Sequence, residues 1–162
     1  MDKEPKLTLY EKDLYDAEEI KEDSIQIIVF RMGKEWYGVE VLKVREVVKL
    51  GKISYLPSVP DHILGIINLR GNILSVTDLK KIFVLPQTET TENTRLVIIK
   101  SGKLETGILA DEVNDVIEIP KSKIDPSLAT IEAGRAEYIQ GECKIGDKLV
   151  GILKAEEILE LK

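Results

Sequence analysis

An internal repeat is the feature that most constrains the fold of this 162-residue chain. When residues 27–57 are placed on residues 96–126, at an offset of 69, seven of the 31 positions are identical without a gap. The match resumes at an offset of 76, where Gly65 falls on Gly141, so the second copy carries seven extra residues, expected between Pro126 and Gly141. The chain is therefore predicted to be a tandem duplication, with repeats over about residues 24–84 and 93–161.

The sequence pattern of each repeat predicts about five short strands. Apolar runs flank the turns Gly33-Lys34 and Gly102-Lys103, a pattern that predicts one hairpin at the start of each repeat. Short helices are expected at the ends of the copies, over Asp78–Phe83 and Ala155–Leu161, with Thr77 as the N-cap of the first. Five strands in about 60 residues favour a small barrel, because closure removes exposed strand edges. We therefore predict a mainly β fold of two barrels, which can exchange strands.

Most of the net charge of −6 lies in an acidic leader, residues 1–23. The leader holds nine acidic residues and four lysines, so the rest of the chain is nearly neutral. This balance argues against a nucleic-acid partner, which selects for a basic excess. Apolar residues recur in the leader at spacings of three and four, so it is either a flexible tail or an amphipathic helix; these residues are Leu7, Tyr10, Leu14, Ala17 and Ile20.

Several classes of protein are excluded by what the chain lacks. It has one cysteine, Cys143, and one histidine, His62, which allow no intramolecular disulfide and no cysteine or histidine metal cluster. No cofactor, no metal and no catalytic site are expected. The sequence has neither the run of about 20 apolar residues of a membrane span nor the apolar segment of a signal peptide. We expect a cytoplasmic protein without direct membrane insertion.

One segment differs between the two copies in a way that points to function. The first repeat contains Asn68-Leu69-Arg70-Gly71, whereas the matching residues of the second are Lys144-Ile145-Gly146-Asp147. The barrel therefore does not require the Arg-Gly pair. Gly71-Asn72 is predicted to form a tight hairpin turn that needs positive φ. Arg70 either serves a function specific to this copy or pairs with a nearby acidic residue to hold the hairpin.

These residues also carry a family resemblance. The segments Tyr37–Val47, Gly65–Leu79, Gly107–Val116 and Tyr138–Gly141 resemble motifs of the CheW family, the coupling proteins of bacterial chemotaxis. A small departure is Ser75, which stands where the family usually has a proline. The resemblance implies one CheW-like domain over residues 24–162, built as two intertwined five-stranded SH3/OB-like barrels, without catalytic activity.

The resemblance further implies an adaptor that links the cytoplasmic tips of methyl-accepting chemoreceptors to the regulatory domain of a chemotaxis histidine kinase, in arrays at the membrane. A receptor helical hairpin is expected in the groove between the barrels. Glu46 and Arg70 are expected to form a charged pair at the rim, and Val44 to share a strand face with Glu46. The implied receptor-binding residues are Val44, Glu46, Asn68, Arg70 and Gly71, and Leu42 and Val116 are expected to add apolar contacts to a receptor helix. The kinase-binding surface is left unassigned, beyond an apolar barrel end.

Alternatives remain open at this point. The same adaptor role in a non-motility chemosensory array fits the sequence equally well. Small five-stranded barrels also bind single-stranded nucleic acid through aromatic stacking in a basic groove. The neutral body and an aromatic content of 5% make that class a distant alternative.

Overall fold

The computed structural model describes residues 23–127 and 133–161 of the chain. The predicted helical stripe of the leader lies outside these residues. The described part is mainly β, as predicted, with two 3-10 turns at Val41–Lys43 and Lys121–Lys123. The strands are β1 Ser24–Met32, β2 Glu35–Glu40, β3 Val44–Lys49, β4 Ile63–Leu69, β5 Asn72–Thr77, β6 Arg95–Ser101, β7 Leu104–Ala110, β8 Glu112–Pro120, β9 Ile139–Ile145 and β10 Lys148–Leu153; the helices are α1 Leu79–Phe83, α2 Ala133–Ala136 and α3 Ala155–Leu159.

The two repeats exchange strands. One sheet has the order β8-β1-β2-β10-β9 and the other the order β3-β6-β7-β5-β4. Each sheet therefore combines the first hairpin of one repeat with the last three strands of the other. The chain crosses between the sheets after β2, through the turn Val41–Lys43, and again after β7, at Asp111.

Isolated backbone bridges close each sheet into a five-stranded barrel. Barrel I, the sheet that contains β1, is closed by Asp125, which exchanges two backbone hydrogen bonds with Glu142 of β9. Barrel II, the sheet that contains β3, is closed in the same way by Ser54 and Ile66 of β4. These bridges pair the edge strand of each sheet with the chain that follows the opposite edge, so neither barrel leaves a long open edge.

The closing bridges explain why a glycine precedes each bridged strand residue. A Cβ atom on Gly65 would lie 2.2 Å from the carbonyl oxygen of Ser54. A Cβ atom on Gly141, the equivalent residue, would lie 2.5 Å from the Ile124 side chain. Both distances are too short for a side-chain carbon, so closure requires glycine at both positions.

The bridges also correct the position of the extra residues in the second copy. Ile66 and Glu142 are 76 positions apart, but their partners Ser54 and Asp125 are only 71 apart. Two of the seven additional residues therefore precede Asp125, where the turn Lys121–Lys123 has no counterpart in the first copy. The prediction that the whole insertion follows Pro126 is wrong, because sequence alignment followed a chance proline match.

Most of the apolar core lies between the barrels rather than inside them. Among the described residues, fifteen buried side chains form the inter-barrel core, against six inside barrel I and five inside barrel II. Strand β1 shows the alternation that builds this arrangement: Ile27 and Val29 face the interior of barrel I, whereas Phe30 and Met32 face the inter-barrel core. Because each barrel holds only a small core of its own, we expect them to unfold together.

The helices pack on the inter-barrel core. Helix α1 contributes Leu79 and Phe83, and α3 contributes Ala155 and Ile158. The N-cap of α1 is Asp78, whose carboxylate accepts from the backbone N–H of Lys80 at 3.1 Å. The predicted cap, Thr77, is the last residue of β5, so that prediction is wrong by one residue. None of the helices in the described ranges is long and apolar enough to cross a membrane.

A buried ion cluster ties α1 to the second crossing. The Lys80 ammonium lies 3.5 Å from Asp78 Oδ1 and 3.8 Å from Asp111 Oδ1, and all three side chains are nine-tenths or more buried. Asp111 also accepts from the backbone N–H of Gly33 and from the Thr88 hydroxyl, each at 2.6 Å. A buried charge needs such partners, because desolvation penalises it strongly. The cluster therefore fixes the crossing against barrel I.

Candidate functional site

The β4–β5 turn is the first element of the candidate site. Leu69 pairs with Asn72, so the turn residues are Arg70 and Gly71. Both have positive φ, 52° and 90°, the pattern of a type I′ turn. The predicted turn, Gly71-Asn72, is therefore displaced by one residue, because Asn72 already belongs to β5.

Arg70 holds a backbone conformation that favours glycine. Its counterpart in the second repeat, Gly146, has a φ of 61°, so the same turn is made there by a glycine. An L-residue in the left-handed region costs about 1 kcal/mol relative to glycine. The first copy therefore keeps an arginine at a position where the backbone disfavours one.

Asn68 supports the turn from the preceding strand. Its side-chain Oδ1 accepts a hydrogen bond from the backbone N–H of Gly71 at 2.8 Å. Side-chain acceptors of this kind stabilise tight turns by replacing a backbone partner. Asn68 and Gly71 thus shape the turn that presents Arg70.

Glu46 and Arg70 form an ion pair at the surface. The Arg70 Nη2 donates to Glu46 Oε2, and the side chains are 63% and 26% exposed for Arg70 and Glu46. An exposed pair contributes between 0 and about 1 kcal/mol to stability. The pair connects β3 with the β4–β5 turn, two elements separated by 24 positions in the chain.

Val44 and Glu46 lie on opposite faces of β3. Val44 pairs with Ile99 of β6, whereas Glu46 pairs with the adjacent residue Ile98, so β3 contains a bulge at Arg45. Ile99 belongs to the inter-barrel core, against which Val44 packs, and Ile98 belongs to the core of barrel II. The prediction that Val44 and Glu46 share a face is wrong, because the bulge reverses the alternation.

The two remaining predicted residues lie beside β1. Leu42 stands in the turn Val41–Lys43, which contacts β1, and its side chain is 92% exposed. Val116 pairs with Ile28 of β1 and is 54% exposed. The structure therefore places Glu46, Asn68, Arg70 and Gly71 in one hydrogen-bonded unit of barrel II, and Val116 in barrel I.

Sequence reasoning missed two charged residues next to this unit. Arg45 donates from Nη1 to Glu105 Oε2 at 2.6 Å, and its Nε lies 3.9 Å from Glu46 Oε2. The hydrogen bond with Glu105 raises the pKa of Arg45 above its usual range. Only Arg45 could have been predicted as part of this site, because it adjoins Glu46 in the sequence. Nothing in the sequence pattern of β7 links Glu105 to β3.

Two exposed apolar side chains near the turn were also missed. Ile73 is 59% exposed and pairs with Asn68, so the two side chains share the outer face of barrel II. Leu104, at the start of the neighbouring strand β7, is 47% exposed. Both sit at the end of barrel II that carries the Arg70 turn, and they add apolar surface next to the charged groups.

The chain's single cysteine and single histidine do not form a nucleophile and base. Cys143 is buried in the core of barrel I, where desolvation raises the pKa of its thiol. His62 precedes β4 of barrel II, and its carbonyl accepts from the backbone N–H of Asp78. No group of His, Cys, Asp and Glu side chains within the described ranges is arranged to hold a metal ion.

The chain is a duplicated domain of two barrels that exchange strands and are closed by backbone bridges. Because the charged turn at Arg70 occurs in only one copy, the domain has the features of an interaction module. The chain belongs to the CheW-like domain family, whose family model matches residues 26–162. It is therefore a CheW-like scaffold of chemotaxis, as the resemblance of its motifs implied.

Individual relatives agree over nearly the whole chain. A chemotaxis protein CheW of Bacillus subtilis is 34% identical over 142 residues, which cover 88% of this chain and 90% of that protein. A chemotaxis protein CheW of Helicobacter pylori is 32% identical over 143 residues, covering 88% and 86%. The crystal structure of the scaffolding protein TtCheW from Thermoanaerobacter tengcongensis superposes with a TM-score of 0.74 at 34% identity, covering 85% of this chain and 89% of that one.

Proposed function

We propose that this protein is a non-catalytic adaptor that couples transmembrane chemoreceptors to a chemotaxis histidine kinase. It binds the cytoplasmic tip of the receptor with one surface and the regulatory domain of the kinase with another. Receptors thereby recruit it to arrays at the membrane. The observation that carries this proposal is the Glu46–Arg70 unit, in which an arginine occupies a turn position that the duplicate fills with Gly146.

The receptor surface combines apolar and charged groups. Leu42 offers an almost fully exposed apolar side chain, and Val44 lies at the edge of the inter-barrel core. A receptor helix that places its apolar face on these residues is a helix-in-groove contact. The Glu46–Arg70 pair then sets the orientation of that helix and excludes helices of the wrong charge pattern. Val116, across β1 from this surface, extends it towards barrel I.

The kinase surface is expected at the opposite end of barrel II. The segment between β3 and β4 lies at the far end of these strands from the Arg70 turn. It carries Tyr55 and Leu56, which are 75% and 40% exposed. Tyrosine is among the residues that most often supply the binding energy of protein interfaces, and Leu56 adds apolar area beside it. A receptor and a kinase can therefore occupy the two ends of barrel II at the same time.

Binding experiments with single-residue variants test the proposal. A pull-down with a receptor cytoplasmic-tip fragment compares the full chain with Glu46→Ala and Arg70→Ala, and each variant is checked for folding by circular dichroism. We expect both variants to lose receptor binding and to keep kinase binding. Tyr55→Ala is the reciprocal variant, which keeps the receptor and loses the kinase. If Glu46→Ala and Arg70→Ala are folded and retain wild-type receptor binding, the receptor site is assigned wrongly.

A further inference from the structure

Four charged side chains form a continuous row at one end of barrel II, in the order Glu105, Arg45, Glu46, Arg70. Glu105 lies on β7, Arg45 and Glu46 on β3, and Arg70 on the β4–β5 turn. This charge row joins three separate elements of barrel II. The Glu105 side chain is the least exposed of the four, at 15%, and Arg70 is the most exposed, at 63%.

Arg45 and Arg70 approach the same oxygen atom. Arg70 Nη2 contacts Glu46 Oε2, and Arg45 Nε lies 3.9 Å from that oxygen. Arg45 makes its close contact elsewhere, at 2.6 Å from Glu105 Oε2. The guanidinium groups of Arg45 and Arg70 thus compete for the Glu46 carboxylate. The hydrogen bond to Glu105 holds Arg45 in its observed position. Charge-assisted hydrogen bonds of this length are stronger than an ion pair at 3.9 Å.

The duplicate shows that the barrel does not need this row. The residues of barrel I that match Glu105, Arg45, Glu46 and Arg70 are Trp36, Asn114, Asp115 and Gly146. Barrel I therefore closes with no arginine at either matching position. Glu105 and the two arginines are therefore confined to barrel II, which carries the receptor site proposed above, whereas the carboxylate of Glu46 has a counterpart in Asp115 of barrel I.

We propose that Glu105 is a positioning residue of the receptor-binding site, which acts by restraining Arg45, a competitor of Arg70 for Glu46. Glu105 holds the Arg45 guanidinium away from Glu46 and so leaves the Glu46 carboxylate to orient Arg70. The inference rests on the proposed function, because it concerns how the receptor-facing arginine is presented. The bulge at Arg45 contributes by turning this side chain towards β7.

The competition between the two arginines makes a specific prediction about variants of the full chain. Glu105→Gln releases Arg45 to pair with Glu46, displaces Arg70, and weakens binding of a receptor cytoplasmic-tip fragment by about two- to fivefold. Arg45→Gln alone leaves binding unchanged, because Arg70 then has Glu46 to itself. The double variant Arg45→Gln/Glu105→Gln regains wild-type affinity, since the competitor is gone.

Isothermal titration with the receptor fragment measures these affinities, and thermal unfolding measures stability in parallel. Glu112→Gln is the matched control, because Glu112 pairs with Arg31 at 3.2 Å in barrel I, outside the charge row. We expect it to bind as the wild type does. Rescue by the second substitution separates positioning from a structural role, since a purely structural defect would persist or deepen in the double variant.

The proposal is overturned if Glu105→Gln binds with wild-type affinity, or if the double variant is as weak as Glu105→Gln. Arg70→Ala, measured in the same titrations, distinguishes a failure of the positioning role from a failure of the receptor site. If Arg70→Ala loses receptor binding while Glu105→Gln does not, only the positioning role fails. If Arg70→Ala binds normally, the receptor site itself fails, and the positioning role fails with it.

Discussion

Arg70→Gly separates the binding role of Arg70 from its contribution to folding. The substitution gives the β4–β5 turn the residue that the second repeat already has at Gly146. Because glycine readily adopts the positive φ of 52° observed at Arg70, the turn itself should be preserved. The variant therefore removes the side chain without disturbing the hairpin.

The expected change in the free energy of unfolding is close to zero. Removing an L-residue from the left-handed conformation at position 70 stabilises the variant by about 1 kcal/mol. Loss of the exposed Glu46–Arg70 pair costs about 0.5 kcal/mol, and the added freedom of glycine in the unfolded chain costs about 0.5 to 1 kcal/mol. The sum lies within about 1 kcal/mol of the wild type. Receptor affinity, in contrast, should fall about tenfold, because the interfacial charge of Arg70 is lost.

Urea denaturation measures the free energy of unfolding, and titration with a receptor cytoplasmic-tip fragment measures receptor affinity. Both use the same preparation. The matched control is Gly146→Arg, which places an arginine in the equivalent turn of barrel I, where a Cβ atom meets nothing within 4 Å. We expect it to lose about 1 kcal/mol of stability and to bind the receptor normally. An Arg70→Gly variant that is folded and binds within twofold of the wild type would refute the reasoning.

Three further predictions concern closure, the buried ion cluster and the thiol. Gly65→Ala should destabilise the fold by about 3 kcal/mol or more in urea denaturation, because its Cβ would lie 2.2 Å from the Ser54 carbonyl oxygen, whereas Gly134→Ala, with open space around it, should not. Asp111→Ala should cost about 2 to 4 kcal/mol in the same assay, since Lys80 loses one of its two carboxylates; a loss under 1 kcal/mol would contradict the role given to the cluster. Burial raises the pKa of Cys143, so the folded chain binds its thiol proton more tightly, and stability should fall as pH rises past the ordinary thiol pKa towards the folded one. Cys143→Ala should remove that pH dependence.

Much of the architecture could be predicted from the duplication. The glycine turns at Gly33 and Gly102 and the matching apolar runs were enough to indicate two five-stranded barrels, because these patterns are local. Which strands pair across the two repeats could not be predicted in this way, because that pairing joins residues far apart in the sequence. The same limit explains why the insertion was predicted at the wrong position. Sequence alignment compares residue identities, whereas the closing bridges at Ser54 and Asp125 depend on backbone pairing in space.

The candidate site could be predicted less completely than the fold. The asymmetry between Arg70 and Gly146 was visible in the repeat, and it led to the residue that the turn presents. The bulge at Arg45 was not visible, because strand alternation assumes a regular ladder, so Val44 and Glu46 were expected on one face. Glu105 was missed for a related reason: it meets Arg45 only after β3, from the first repeat, and β7, from the second, join one barrel.

The most direct test of the central claim is kinase activity in a reconstituted array. Receptor-containing membranes, the histidine kinase and this protein are combined, and both co-sedimentation and kinase flux are followed as receptor ligand is added. We predict that the wild-type chain brings the kinase to the membranes and makes its flux respond to ligand, whereas Arg70→Gly binds the kinase in solution but restores neither. Ligand-responsive kinase flux of wild-type size with the folded Arg70→Gly variant would contradict the account.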